Sequence, residues 1–298
     1  MRARTHSHSP RSPLRGVVIG MLLIPPNSYF IMSNHLIYWS ALPTTMALMF
    51  NVVITLTVVA AANMALRRYV PRYALTPGEL LVLYVMLAIA SALAGHDMLQ
   101  TIIPTVPNGF WFATPENEWE TLFHSYLPRW LTSDDVESLT HFYEGRARFA
   151  TWPHFNDWAK PALWWTALMS LLVLAMISLN AMLAGQWIYR ERLTFPVVRL
   201  PTELVSAERP LLRSRAMWVG FAIAATVDLV NGLHVFYPLV PEIPVRRFDL
   251  GVHFTTPPWN AIGWTPLYVL PFGLGLAFLM PLDVSFSLWV CFILWKLE

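Results

Sequence analysis

Charge is what this chain has least of. Charged side chains are 13% of its 298 residues, against about 25% in an ordinary soluble domain. With 56% hydrophobic residues and a mean hydropathy of +0.48, that scarcity excludes a typical soluble fold. A formal net charge of +2 gives no electrostatic footprint for nucleic acid, and no basic stripe or base-stacking module accompanies it. Cysteine is nearly absent. The single Cys291 excludes a disulfide framework and a thiolate metal centre. Also missing are a glycine-rich phosphate loop, a G-x-S-x-G elbow, an H-E-x-x-H pair and a cysteine–histidine nucleophile arrangement. Neither a metal nor a cofactor is therefore expected.

What the chain does have is length of apolar run. A helix needs about 20 apolar residues to span hydrocarbon. The candidate spans are 16–38, 42–66, 77–103, 161–188, 216–237 and 264–296. The last is too long for one helix and divides at Pro281 and Asp283. These runs far exceed barrel strands, so lipid leaves only helices. The expectation is an all-α polytopic transmembrane bundle of about six to seven spans.

The basic start, MRARTHSHSPRSPLRG, leads into an apolar run with no small-x-small cleavage site before SNHLIYW, which favours a retained signal-anchor over a cleaved signal peptide. Orientation follows from lysine and arginine in the connections. The tail 1–15 carries Arg2, Arg4, Arg11 and Arg15, the second connection Arg67, Arg68 and Arg72, and segment 189–215 six arginines. Segment 104–160 has four basic residues against eight acidic ones. These counts place the N-terminus in the cytoplasm and 104–160 outside. The expected layout is tail 1–15, helices one to three over 16–103, external segment 104–160, and helix four over 161–188. A cytoplasmic connection, 189–215, and helices five to seven over 216–298 complete it, with an external loop at 238–262. TSDDVESLTHFYEGRARF in the external segment reads as an amphipathic helix capped by Thr132 or Ser133. The proline-rich 238–262 reads as an extended cap. The abrupt end at CFILWKLE predicts a longer protein.

Ionisable groups at bilayer depth are costly and are functional hypotheses by default. Asp228 lies roughly 18 Å along its span, counted at 1.5 Å per residue. With Asn231 and His234 it forms a candidate proton-coupling set; the alternative is a packing role. Pro25 and Pro26 each remove a backbone donor, so the first helix is expected to break there. Asn27, Ser28 and Tyr29 would then line a substrate cavity, as at the broken helices of transporters. Asn51, Asn63 and Asn180 read as interhelical hydrogen bonds. In GHDMLQTIIP, His96 and Gln100 are spaced i and i+4 while Asp97 points about 100° away. One histidine does not make a zinc pair, so His96, Asp97 and Gln100 read either as an interfacial cap or as an outer gate.

Four stretches carry a resemblance. LRGVVIGMLLIPPNSYFIMSNH resembles the first helix of the oligopeptide transporter superfamily. LTPGELLVLYVMLAIASALAGHDMLQTIIP is similar to its segment with an early Glu before a small-residue run that ends at proline. IYRERLTFPVVRLPTELV resembles its cytoplasmic E-x-L-x-F-P element, and FGLGLAFLMPLDVSFSLWVCFILWKLE its later helix. Glu79, Gly95, Pro104, Glu191, Phe195 and Pro196 fall on motif positions; Arg199 and the aromatic external segment depart from the pattern. The resemblance implies the first half of a bacterial inner-membrane transporter. Such a protein would carry peptides or metal chelates coupled to protons, with the lipid bilayer and a small-molecule or peptide substrate as partners. The alternatives from a different class are a membrane-embedded transferase with an external site and a membrane interaction subunit.

Overall fold

The computed structural model describes residues 13–38, 43–46, 48–145, 152–193, 195–206, 210–243, 245, 248–267 and 271–297. Arg2, Arg4, Arg11, Arg146, Arg148, Arg246 and Arg247 lie outside the described residues. The protein is about 75% helical. Its α-helices are α1 (Leu14–Met32), α2 (Phe50–Tyr69), α3 (Pro77–Ala94), α4 (Leu99–Trp111), α5 (Trp119–Leu122) and α6 (Val136–Tyr143). They continue with α7 (Trp152–Gly185), α8 (Pro196–Val205), α9 (Pro210–Arg213), α10 (Arg215–Phe236), α11 (Pro271–Leu279) and α12 (Leu282–Leu297). π-helical turns close α1 at Ser33–Tyr38 and α7 at Gln186–Arg190. Among the described residues, five helical stretches are long and apolar enough to cross a membrane: Leu14–Tyr38, Phe50–Tyr69, Pro77–Trp111, Phe155–Arg190 and Arg215–Phe236. α11 has nine residues, or about 14 Å of rise, and does not reach spanning length.

The chain forms two compact units. One comprises residues 17–52 and 85–193, the other 1–16, 53–84 and 194–298.

The helices follow the apolar runs, but three features differ from the sequence expectation. First, α1 does not break at Pro25 and Pro26; both lie inside a continuous helix. Two missing donors cost two intrahelical bonds, whereas a break in hydrocarbon would strand more backbone groups than that. The irregularity comes about two turns later, in the π-helical turn. Second, the third run is not one helix. α3 ends at Ala94, turns at 95–98, and α4 restarts at Leu99 and passes through Pro104 and Pro107. The 103/104 boundary therefore falls inside a helix. Third, α7 begins at Trp152, nine residues before the expected start.

The unit made of 17–52 and 85–193 holds the segment after α4 against α7. Trp158 Nε1 donates to Ser138 Oγ at 3.0 Å and Trp165 Nε1 to the Leu131 carbonyl at 3.0 Å. Ser133 donates to the Asp157 carboxylate. That bond explains why Ser133 is fully buried and does not cap α6. The cap is Asp135, which accepts from Ser138 N at 2.8 Å. Tyr143 stacks on Trp111 at 4.8 Å, and its hydroxyl donates to the Pro104 carbonyl at 3.2 Å. Burial of the Tyr143 ring raises its phenol above the ordinary tyrosine value.

In the other unit, α3 starts on a capping box. Thr76 N and Oγ1 donate to Glu79 Oε2 at 2.7 and 2.9 Å, and Glu79 N donates back to Thr76 Oγ1 at 3.2 Å. Pro77 occupies the first helical position, where a missing N–H costs nothing. Gly16 abuts this cap so closely that a Cβ there would lie 2.4 Å from the Glu79 carbonyl oxygen. Among the described residues of 238–267 are short 3₁₀ turns and an antiparallel pair, Phe248–Asp249 with Pro266–Leu267. The last apolar run divides as expected, at Met280–Pro281 between α11 and α12.

Candidate functional site

Three of the buried polar side chains form one cluster. Asn27 of α1, Asn51 at the start of α2 and Ser91 of α3 are all buried. Asn51 Nδ2 donates to Asn27 Oδ1 at 2.8 Å and to Ser91 Oγ at 3.0 Å; Asn27 Nδ2 donates to Ser91 Oγ at 2.9 Å. One hydroxyl thus receives two amides from two helices.

The same inward face carries Ile31, fully buried, about one turn on, and His35 of the π-helical turn, 2% exposed, about two turns on. Asn27, Ile31 and His35 are each four apart, which keeps them on one face. His35 Nδ1 lies 3.2 Å from Gln100 Oε1, and Gln100 Nε2 donates to the Ala94 carbonyl at 2.9 Å. The second ring nitrogen, Nε2, is buried and has no hydrogen-bond partner among the described residues. Leaving such an acceptor unpaired costs about 1–3 kcal/mol. π-helical turns frequently mark functional positions, and His35 sits in one.

The other sequence candidates fall as follows. Of the expected cavity group, Asn27 points inward, whereas Pro25, Pro26 and Tyr29 are exposed and Ser28 is half-buried. The helical spacing that paired His96 with Gln100 does not hold, because 95–98 is a turn rather than helix. Gln100 turns into the unit toward His35. His96 and Asp97 stay outside, 60% and 95% exposed at the side chain, 3.4 Å from each other. Gly95 lies against Thr44, where a Cβ would come within 2.7 Å of Oγ1.

In the other unit, Asn231 Nδ2 donates to the Ile243 carbonyl at 3.0 Å and Ile243 N to Asn231 Oδ1 at 2.8 Å. His234 Nδ1 contacts the Val240 carbonyl at 2.5 Å. Both side chains therefore hold the loop that follows α10. Asn63 holds Leu75 in the same two-way manner at 3.0 and 2.7 Å, with Arg67 adding a bond to the same carbonyl. Asn63 thus pins a loop rather than another helix. Asn180 bonds the Met176 carbonyl within its own helix, a correction to the interhelical reading. Asp228 is exposed on α10 and joins neither Asn231 nor His234.

Of the motif positions, Glu79 is buried in the capping box and Pro104 lies inside α4. Glu191 Oε1 accepts from Gln186 Nε2 at 3.0 Å, and Phe195 precedes α8, which begins at Pro196. Arg199, foreign to the pattern, pairs with Glu203 one turn on at 2.8 Å. The aromatic segment after α4 encloses an open cavity of about 340 Å³ between Asn108, Trp119, Phe123, Leu131 and Trp165.

His35 and Ser91 were not singled out from sequence. The signal for His35 was present in the i, i+4, i+8 spacing from Asn27, and for Ser91 in its place within an uncharged run.

Five apolar helices of spanning length, with polar side chains gathered inward on three of them, are the make-up of a multi-pass helical membrane protein. The chain belongs to DUF6785, a family of unknown function whose model matches residues 6–298. No curated protein and no solved structure matches it significantly.

Proposed function

We propose that this protein is a proton-coupled secondary transporter similar to the oligopeptide transporter superfamily, moving peptides or metal chelates across a bacterial inner membrane. The observation that supports this reading best is the Asn27–Asn51–Ser91 cluster, with His35 beyond it on the face of Asn27 and Gln100 of α4 against His35. Buried amides and hydroxyls join spanning helices by hydrogen bonds, and an ionisable side chain such as His35 buried beside them is a functional hypothesis by default. In this reading the amide–hydroxyl cluster binds polar solute groups, and Asp228 of α10 carries coupling protons. The proposed topology has the N-terminus in the cytoplasm and six to seven spans. Arg15 supports it, since Arg15 Nη1 donates to the Arg72 carbonyl at 3.1 Å and so brings two basic segments to one side.

The test is uptake by protein reconstituted in lipid vesicles with an imposed inward proton gradient, against a panel of di- and tripeptides and metal–chelate complexes. Gradient-driven accumulation of at least one solute is expected, with Asp228→Asn abolishing it while leaving inserted, folded protein. Uptake at normal rates in Asp228→Asn removes that residue from coupling. A transferase working at the aromatic cavity would instead consume a lipid-linked or soluble donor in the same vesicles without moving it across, and that outcome would replace the transport reading.

A further inference from the structure

We propose that Nε2 of His35 is a proton-binding site inside the helical unit, kept available because Gln100 occupies the other ring nitrogen. The argument begins at Gln100. Its Nε2 donates to the Ala94 carbonyl at 2.9 Å, which fixes the amide, because the flipped orientation would set oxygen against oxygen. Oε1 is then the atom that faces His35 Nδ1 at 3.2 Å, and Oε1 only accepts. Nδ1 must therefore carry the ring hydrogen. In a neutral imidazole that makes Nε2 a bare acceptor. It is buried and has no donor among the described residues.

The burial decides the ligand. Nε2 is closed off by protein, so a bulky donor does not fit against it, whereas a proton needs no room. When Nε2 takes a proton, Nδ1–H still donates to Gln100, so the amide pair holds in both charge states and all the change is confined to one atom. The proton comes from water and returns to it; no bond other than N–H is made or broken. Neither Gln100 nor the Ala94 carbonyl titrates. From the turn between α3 and α4, His96 and Asp97 are exposed and paired with each other, and no ion pair reaches His35 among the described residues. The π-helical turn that carries His35 and the polar cluster two turns away on the same face place this exchange beside the site described above. The inference rests on the transport reading only for the use made of the proton.

Ring-¹⁵N-labelled histidine in the full chain, held in lipid nanodiscs, reads the tautomer directly and with no solute present. The result therefore stands apart from uptake in vesicles. The chain has nine histidines and two glutamines. The His35 signals are identified by their loss in His35→Gln and, without any substitution, by their dipolar contact with side-chain ¹³Cδ-labelled glutamine. The expected result at high pH is a protonated Nδ1 and an unprotonated, pyridine-like Nε2. On acidification the Nε2 signal alone moves to the protonated range. Gln100→Leu should abolish the preference and give a mixture of tautomers. A hydrogen on Nε2 at high pH, or an Nε2 that stays unprotonated throughout the pH range in which the protein remains folded, would overturn the proposal.

Discussion

Single atoms decide much of this molecule. Ser91 Oγ accepts from both Asn27 and Asn51, so Ser91→Ala removes an acceptor that two helices share. Interhelical polar contacts in membranes are worth about 0.6 kcal/mol on average and up to about 1.7. Ser91→Ala should therefore lose roughly 1–2 kcal/mol, measured by denaturant unfolding in detergent. An Asn27→Ala, Asn51→Ala double-mutant cycle should show clear coupling, and strictly additive effects would deny the network. Gly16 supplies a steric counterpart. A methyl group there meets the Glu79 backbone oxygen at 2.4 Å, and overpacking of that kind costs about 1–3 kcal/mol. Gly16→Ala should lower the melting temperature in detergent, and an unchanged value would mean that α1 and the start of α3 do not approach so closely. The exposed pair His96–Asp97 supplies the contrast. Surface ion pairs are worth about 0–1 kcal/mol, so Asp97→Asn should leave stability unchanged within error.

At the scale of elements, length and hydropathy made the spanning helices legible, because a run of twenty apolar residues has little else to do. Where a residue points was less legible. Pro25 and Pro26 suggested a break by their local chemistry, yet the surrounding helix keeps its bonds on either side because lipid offers the backbone no other partner. The turn at 95–98 lay within an apolar run and was hidden by its own hydrophobic flanks. It is this turn that separates Gln100 from His96 and directs Gln100 to His35. The α6 cap moved from Ser133 to Asp135 because Ser133 is engaged by Asp157, twenty-four residues away, a tertiary contact with no local signature. The T-P-G-E box at the start of α3 has a local signature in T-x-x-E, although Glu79 was singled out only as a motif position. Thr76→Ala should cost about 1 kcal/mol, read as the stability difference from wild type. Because Glu79 Oε2 takes both Thr76 donors, Glu79→Ala should cost no less.

For the whole molecule, the proposed function is that an apolar helical protein uses its small buried polar constellation to pass a solute, with protons as the driving ion. Composition alone led to the membrane, and the helices carry that reading through. The constellation required three dimensions, since Asn27, Asn51 and Ser91 are 24 to 64 residues apart along the chain. The most direct measurement is lumenal pH in vesicles containing the full chain, recorded as peptides and metal chelates are added outside under an inward proton gradient. The account predicts lumenal acidification that depends on one of those solutes, at least tenfold slower in Asn27→Leu although that variant is inserted and folded. Solute-independent traces, indistinguishable from those of vesicles without protein across the whole panel, would contradict it.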